Sequence, residues 1–566
     1  MQVIMVSFSN AKPETVSADE FSALDVPHPY GVKPNGNRFF GEGGSTISRR
    51  EEIFTDDLWQ LILSFCDGKT MGKVVQVSHY LYAAGHQPEL WRDLMLRHCD
   101  RHRTTIDKVG QSSWKDAFAT MALSKAGKSE TFKPHSPIAV SGVYSDVLYR
   151  SHLCRSFHIP KLWLEQQRRS PSSSSSSMDD PQQVQRRAVD EITPKEFFED
   201  FEKQNIPVII EGAAKSDAVY KWSHPDYMRD QQSSAEQSFR TTSGAAPLPG
   251  NFTLKAYQDY SKFEYHEEAP LYLFDRTAFQ KTPQWERDFF DEFYKKCPFW
   301  DPSKTEHGHD LFQHLGAHKR PDHTWLIMGP KRSGSVFHID PNCTHAWNAS
   351  IVGAKKWIFY PPGVNPPGVY PSADGDEVAV PLSVGEWITQ YWEEHCHRLR
   401  HDPPAQRPLE CTVAAGDVIF VPHGFWHMVI NLDEVNIAIT HNYVSRSNLG
   451  NVLRFLTTKQ DQISGCRDRA ETIKPEFLHD AFVDALRDVE PEALAVAQQQ
   501  SSWTCAAWKD ISEIIKEKEP RNGIMNKKKR PRSCGEDSGT PSSDTAQRSS
   551  VMAKTEKIEA FTFSFL

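Results

Sequence analysis

Between residues 250 and 445 the chain breaks into short apolar runs separated by Pro and Gly: LYLFD (271–275), TWLIMG (324–329), KKWIFYPP (355–362), DVIFVP (417–422) and VNIAITHNYV (435–444). Proline cannot donate to a sheet ladder, and glycine weakens a strand interior, so this punctuation marks strand ends. Short, evenly spaced strands without long intervening helices imply antiparallel pairing and a closed or sandwiched β-architecture. The fold class expected is α+β: a double-stranded β-helix, or jelly roll, with helical flanks. The segment 372–411, which contains SVGEWITQYWEEHCHRLRHDPP, reads as a helical insertion between barrel strands.

The flanks differ in character. Residues 1–48 are rich in Pro, Gly, Ser and Asn and read as disordered. In 51–96, Leu58, Leu61, Ile62 and Phe65 recur at helical spacing, Thr55 or Asp56 is placed to cap the helix, and Val74, Val77 and Leu81 form a second apolar set. This is a small all-α module. Residues 97–185 read as a connector with one ordered patch, VYSDVLYRSHLCRSF, and a run of six serines at 172–177. ITPKEFFEDFEKQNIPVIIEGAA then predicts a capped helix followed by a buried strand at 208–210, which opens the main domain, 190–445. Residues 446–518 turn helical again, either to brace the barrel or to pair two chains. Residues 519–566 form a disordered basic tail, whose cluster at 526–532 is either a nuclear localisation signal or a solvated charge run.

A chain of 566 residues has room for roughly two to four domains. It contains no apolar run long enough to cross a bilayer, and its start lacks the basic and apolar regions of a secretory signal. The ten cysteines are scattered and form no CxxC pair. That pattern fits reduced thiols rather than disulfides or structural zinc. A net charge of −9 gives no sign of a general nucleic-acid binder, although KRPDH (319–323) and PKRSG (330–334) could flank an entrance.

The chemistry starts from His338-Ile339-Asp340. H-x-D occurs three times, also at His98 and His224, and with 24 His and 74 acidic residues chance matches are expected. His98 lies in a polar helical stretch, and His224 is followed by Pro225. Only His338 sits in an alternating strand pattern, where residues two apart face the same side. His427 follows 89 positions later (427 − 338), in FVPHGFWH. Two imidazoles and one carboxylate can hold one face of a non-heme Fe(II) and leave the other open. Lys355 alternates with Trp357 and Phe359, and a lysine on an aromatic face points toward an anion, because an unpaired buried ammonium is costly. Ala438, Thr440 and Asn442 share a face of the last strand, where hydroxyl and amide groups suit a dicarboxylate.

The stretch from Leu311 to Asn442, together with PLYLFD upstream, resembles the Jumonji C (JmjC) family of Fe(II)- and 2-oxoglutarate-dependent oxygenases over roughly 190–450. Within that family it is most similar to the branch of bifunctional arginine demethylases and lysyl hydroxylases. The resemblance implies a cupin-like barrel, iron ligands His338, Asp340 and His427, and Lys355 and Thr440 on the distal carboxylate of 2-oxoglutarate. Tyr272, Asn348, Ser335 and Asn442 match further positions of the same cavity. It also implies O2-dependent hydroxylation, or demethylation, of lysine or arginine side chains in nuclear proteins. One departure is visible: NLDEVNIAIT carries a residue more than this branch leads one to expect, so Thr440 keeps its facing only if a bulge absorbs the slip. Residues 51–96 resemble the F-box, which implies a Skp-type linker of a cullin ubiquitin ligase as partner. That makes an adaptor the alternative function.

Overall fold

The computed structural model describes residues 27–36, 54–109, 113–125, 136–168 and 183–499, the last apart from 225, 231–236, 243–247, 263–266, 302, 304–309, 374 and 467–472. The serine run, residues 500–518 and the basic tail lie outside the described residues.

Two sheets form the barrel. The described strands are β1 (Gln185–Ala188), β2 (Val208–Glu211), β3 (Ser238–Thr242), β4 (Gly250–Thr253), β5 (Tyr272–Asp275), β6 (Thr324–Gly329), β7 (Gly334–His338), β8 (His345–Val352), β9 (Lys355–Tyr360), β10 (Tyr370–Pro371), β11 (Val378–Ala379), β12 (Leu409–Val413), β13 (Val418–Val421), β14 (Trp426–Asn431) and β15 (Asn436–Tyr443), of which β10 and β11 pair only with each other, outside those two sheets. The large sheet runs β1-β2-β13-β8-β15-β6-β5-β3-β4 and the small one β12-β9-β14-β7. Apart from β1 with β2, the strand pairs of both sheets are antiparallel. The five apolar runs become β5, β6, β9, β13 and β15, and 208–210 is fully buried in β2. Ahead of it, Thr193 and Glu196 form a capping box. The predicted insertion is the helix Val384–His401, capped by Ser383.

Before the barrel come α1 (Asp56–Ser64), α2 (Gly68–Val74), α3 (His79–Gly85), α4 (Pro88–His102), α5 (Trp114–Lys125), α6 (Asp146–Ser156) and α7 (Lys161–Arg168). Two expectations are corrected here, and one face is left uncovered. Residues 97–185 are no plain connector, because α4 to α7 pack on the barrel. One core cluster runs from Leu63, Met71 and Trp91 to Phe252, Tyr257 and Leu273, so helices and barrel share an interior. Residues 27–36, inside the segment read as disordered, are seated on α3 and α6: Val32 is buried, and Asn35 is hydrogen-bonded to Asp146 at 2.8 and 2.9 Å. The apolar stripe of α1 does not face the core. Leu58, Leu61 and Phe65 are 37, 54 and 79% exposed, whereas Leu63 is buried.

The joint is ionic as well as apolar. Arg92 of α4, fully buried, donates to Glu267 Oε2 at 3.1 Å. The other oxygen of Glu267 accepts from Trp114 Nε1 at 2.8 Å and from the Tyr260 hydroxyl at 2.9 Å. Removing one partner of such a pair strands a buried charge. Arg92→Ala is therefore expected to lower stability by roughly 3–5 kcal/mol. Because the core is shared, helices and barrel should unfold in one transition in a denaturant titration. Two separate transitions in the wild type would contradict the shared core.

Candidate metal and co-substrate site

The two sheets enclose one cavity. The large sheet lines it with Tyr272, Asn348, Thr440 and Asn442, and the small sheet with Ser335, His338 and His427. Asp340 closes the end. β7 and β14 are neighbours, and His427 lies directly opposite His338. β7 stops at His338, so Asp340 is not within the strand as the alternation argument assumed. Its backbone stays extended (φ −60°, ψ 141°) before the turn 341–343, which still returns its carboxylate to the cavity.

His338, Asp340 and His427 offer ligand atoms that all lie within 4.8 Å of one another, the only such cluster among the described residues. His427 Nε2 stands 3.9 Å from Asp340 Oδ1, too far for a hydrogen bond and close enough for a shared ion. Each imidazole faces a backbone carbonyl through Nδ1, His338 to Val336 at 2.8 Å and His427 to Phe425 at 3.1 Å. With the ring proton on Nδ1, the metal-binding lone pair is on Nε2. Burial lowers His427 to about 4, and burial with the neighbouring His427 lowers His338 to about 3, so both rings stay neutral. Burial raises Asp340 to about 6, and its Oδ2 has no hydrogen-bond partner. Two neutral imidazoles and a carboxylate oxygen without a partner fit a divalent cation.

The far end of the cavity fits an anion. Lys355 is 1% exposed and stands just behind the lining. Its Nζ donates to the Tyr272 hydroxyl at 3.1 Å and to Asn431 Oδ1 at 2.6 Å. No carboxylate reaches it among the described residues, and burial lowers it to about 7. Asn348 Oδ1 is also buried without a partner. Thr440 faces the cavity opposite Asn348. A bulge is present, but on β8: Ile437 pairs with Val352 and Ala438 with Ser350, so Ile351 is the extra residue. Ser335 and Asn442 line the cavity as well, and the Asn442 amide donates to Thr344 Oγ1 at 2.9 Å. Asn431 was not foreseen. It alternates with His427 and Val429 along β14, and that period of two is the signal that marks it.

A barrel of this topology carrying two neutral imidazoles, one carboxylate and a buried lysine defines the class of cupin-like oxygenases. Residues 194–448 match the family described as Cupin-like domain. The chain is 35% identical to Arginine-specific demethylase JMJ22 of Arabidopsis thaliana over 483 residues, 83% of this chain and 84% of that protein. It is 32% identical to Bifunctional arginine demethylase and lysyl-hydroxylase psr-1 of Caenorhabditis briggsae over 308 residues, 54% of this chain and 72% of that protein. To 2-oxoglutarate and iron-dependent oxygenase JMJD4 of Homo sapiens the identity is 34% over 151 residues, 26% of this chain and 34% of that protein. The chain belongs to the cupin-like JmjC family of iron- and 2-oxoglutarate-dependent oxygenases.

Proposed function

We propose that this oxygenase hydroxylates or demethylates lysine or arginine side chains of nuclear proteins, with His338, Asp340 and His427 holding the iron. The observation that carries this reading is the pairing of that cluster with a buried Lys355 that no carboxylate neutralises. The bound iron supplies O2 activation, coupled to oxidative decarboxylation of 2-oxoglutarate. In this reading Lys355 and Tyr272 receive the distal carboxylate, with Thr440, Ser335, Asn348 and Asn442 fixing the remainder. The aromatic wall of Phe274 and Trp325, stacked at 5.5 Å, suits a cationic side chain. The names of the plant and nematode relatives point the same way. The test supplies Fe(II), ascorbate, 2-oxoglutarate and lysine- or arginine-containing peptides. Succinate should be released, and the peptide should gain one oxygen or lose one methyl. No release above a His427→Ala background would overturn it. Nuclear location rests on the basic cluster 526–532, and a reporter carrying 519–566 that stays cytoplasmic would remove that support.

A second reading is favoured by one observation: Leu58, Leu61 and Phe65 leave an apolar stripe of α1 in solvent, with Val77 also exposed at 72%. Such a patch on a folded surface marks a binding face, and its F-box-like setting suggests a Skp-type linker. Leu61→Asp should abolish co-purification with that linker and leave the fold intact, since Leu61 is already half in water. Capture at wild-type level would exclude this face.

A further inference from the structure

The turn that follows Asp340 and the loop that precedes His427 are both tied to the same C-terminal segment. Asn342 and Cys343, directly after Asp340 and Pro341, both adopt left-handed backbone (φ 56° each). Two consecutive non-glycine residues in that region persist only when their surroundings over-determine them. Here the surroundings are residues 447–464. The Asn342 side chain, 4% exposed, forms a two-way pair with the backbone of Ser464: it donates to Ser464 O and accepts from Ser464 N, both at 3.0 Å. Asn448 Nδ2 donates to Cys343 O at 2.9 Å. On the other ligand loop, Asn451 Nδ2 meets His423 Nε2 at 2.7 Å, four residues before His427. The backbone N–H of His423 donates to His345 Nδ1 at 3.1 Å, and Ser447 holds the opposite nitrogen of that ring at 2.9 Å. The N-cap and first turn of the helix Leu449–Thr458 thus reach Cys343 and His423.

We infer that residues 447–464 are a clamp that sets the spacing of the Asp340 and His427 loops, with Asn342 and Asn448 acting as positioning residues for the metal site. This rests on the iron reading above. The three-residue turn 341–343, in strained backbone, has no sheet ladder to hold it. Without the Ser464 pair, the chain after Asp340 can relax to right-handed backbone and swing the carboxylate away from the imidazoles. The clamp also makes the C-terminal helices part of the site rather than an appendage, so removing them should cost metal affinity before it costs the barrel.

Co(II) titration of the full chain, followed by visible absorption, tests this without turnover. Asn342→Gly keeps a backbone that tolerates positive φ but loses both bonds to Ser464. It and Asn448→Ala are each expected to weaken Co(II) binding about 10-fold, as about 1.4 kcal/mol of lost positioning would. Leu456→Ala opens the same helix core, where Leu456 is fully buried, while leaving every hydrogen bond named above in place. It should lower the melting temperature at least as much as either Asn variant and leave Co(II) affinity within about twofold of wild type. Wild-type affinity in Asn342→Gly, or equal weakening in Leu456→Ala, would overturn the clamp. Failure of the wild type to bind Co(II) would overturn the metal reading itself, and the clamp with it.

Discussion

Asp340→Ala is expected to abolish stabilisation by added metal while leaving the metal-free protein at least as stable as wild type. The carboxylate is buried, one of its oxygens has no hydrogen-bond partner, and burial lifts it from 3.8 to about 6. The metal-free fold therefore holds this proton more tightly than the unfolded chain does. The cost of keeping it is absent below pH 3.8, grows as pH rises through 6, and is complete above that, so the variant gains most at neutral pH. Metal reverses the balance, because an ion needs the deprotonated ligand. At a hundred times its dissociation constant, a ligand that binds only the folded state adds about 2.7 kcal/mol. Melting curves with and without Co(II) at neutral pH should show that increment in the wild type and lose it in the variant. A variant that is still stabilised by Co(II) would remove Asp340 from the ligand set.

Lys355→Met should act in opposite directions on stability and on co-substrate binding. The ammonium is buried against a tyrosine hydroxyl and an amide oxygen, and burial lowers it from 10.5 to about 7. Its unfolded form binds the proton more tightly, so the penalty is full below pH 7 and fades as pH rises toward 10.5. A methionine of similar shape removes that penalty, on the order of a few kcal/mol, and should raise the melting temperature at pH 7. In the function proposed above, the same change removes the cation that receives the distal carboxylate of 2-oxoglutarate. KM for 2-oxoglutarate should rise about 100-fold or more, as expected when a buried charged partner worth about 3 kcal/mol is lost. In the wild type that KM should also climb with pH above about 7, because an anion needs the charged lysine. A flat profile, or a variant with ordinary KM, would show that Lys355 does not serve the co-substrate.

The metal cluster was legible because its geometry is local. His338 and Asp340 are two apart in extended backbone, and His427 lies in a strand whose alternation also carries Val429 into the cavity and Asn431 to the Lys355 ammonium behind it. Lys355 was legible for the same reason, from its alternation with Trp357. Elsewhere periodicity said less. On α1 it grouped Leu58, Leu61 and Phe65 correctly on one face but carried no information about whether anything covers that face. It also missed the packing of α4 to α7 on the barrel, which rests on partners far away: Arg92 meets Glu267 across 175 residues.

By itself, then, the sequence determined the strand runs, the three candidate ligands and the inward-facing lysine, because side-chain facing follows from a backbone period of two. Only the tertiary structure decided that helices and barrel share one core, that the α1 stripe is left in water, and that residues 447–464 hold both ligand loops. Those outcomes depend on which distant segments meet once the sheets close. A local pattern cannot encode this, since the same apolar or amide side chain is equally at home against solvent, a partner or the opposite end of its own chain.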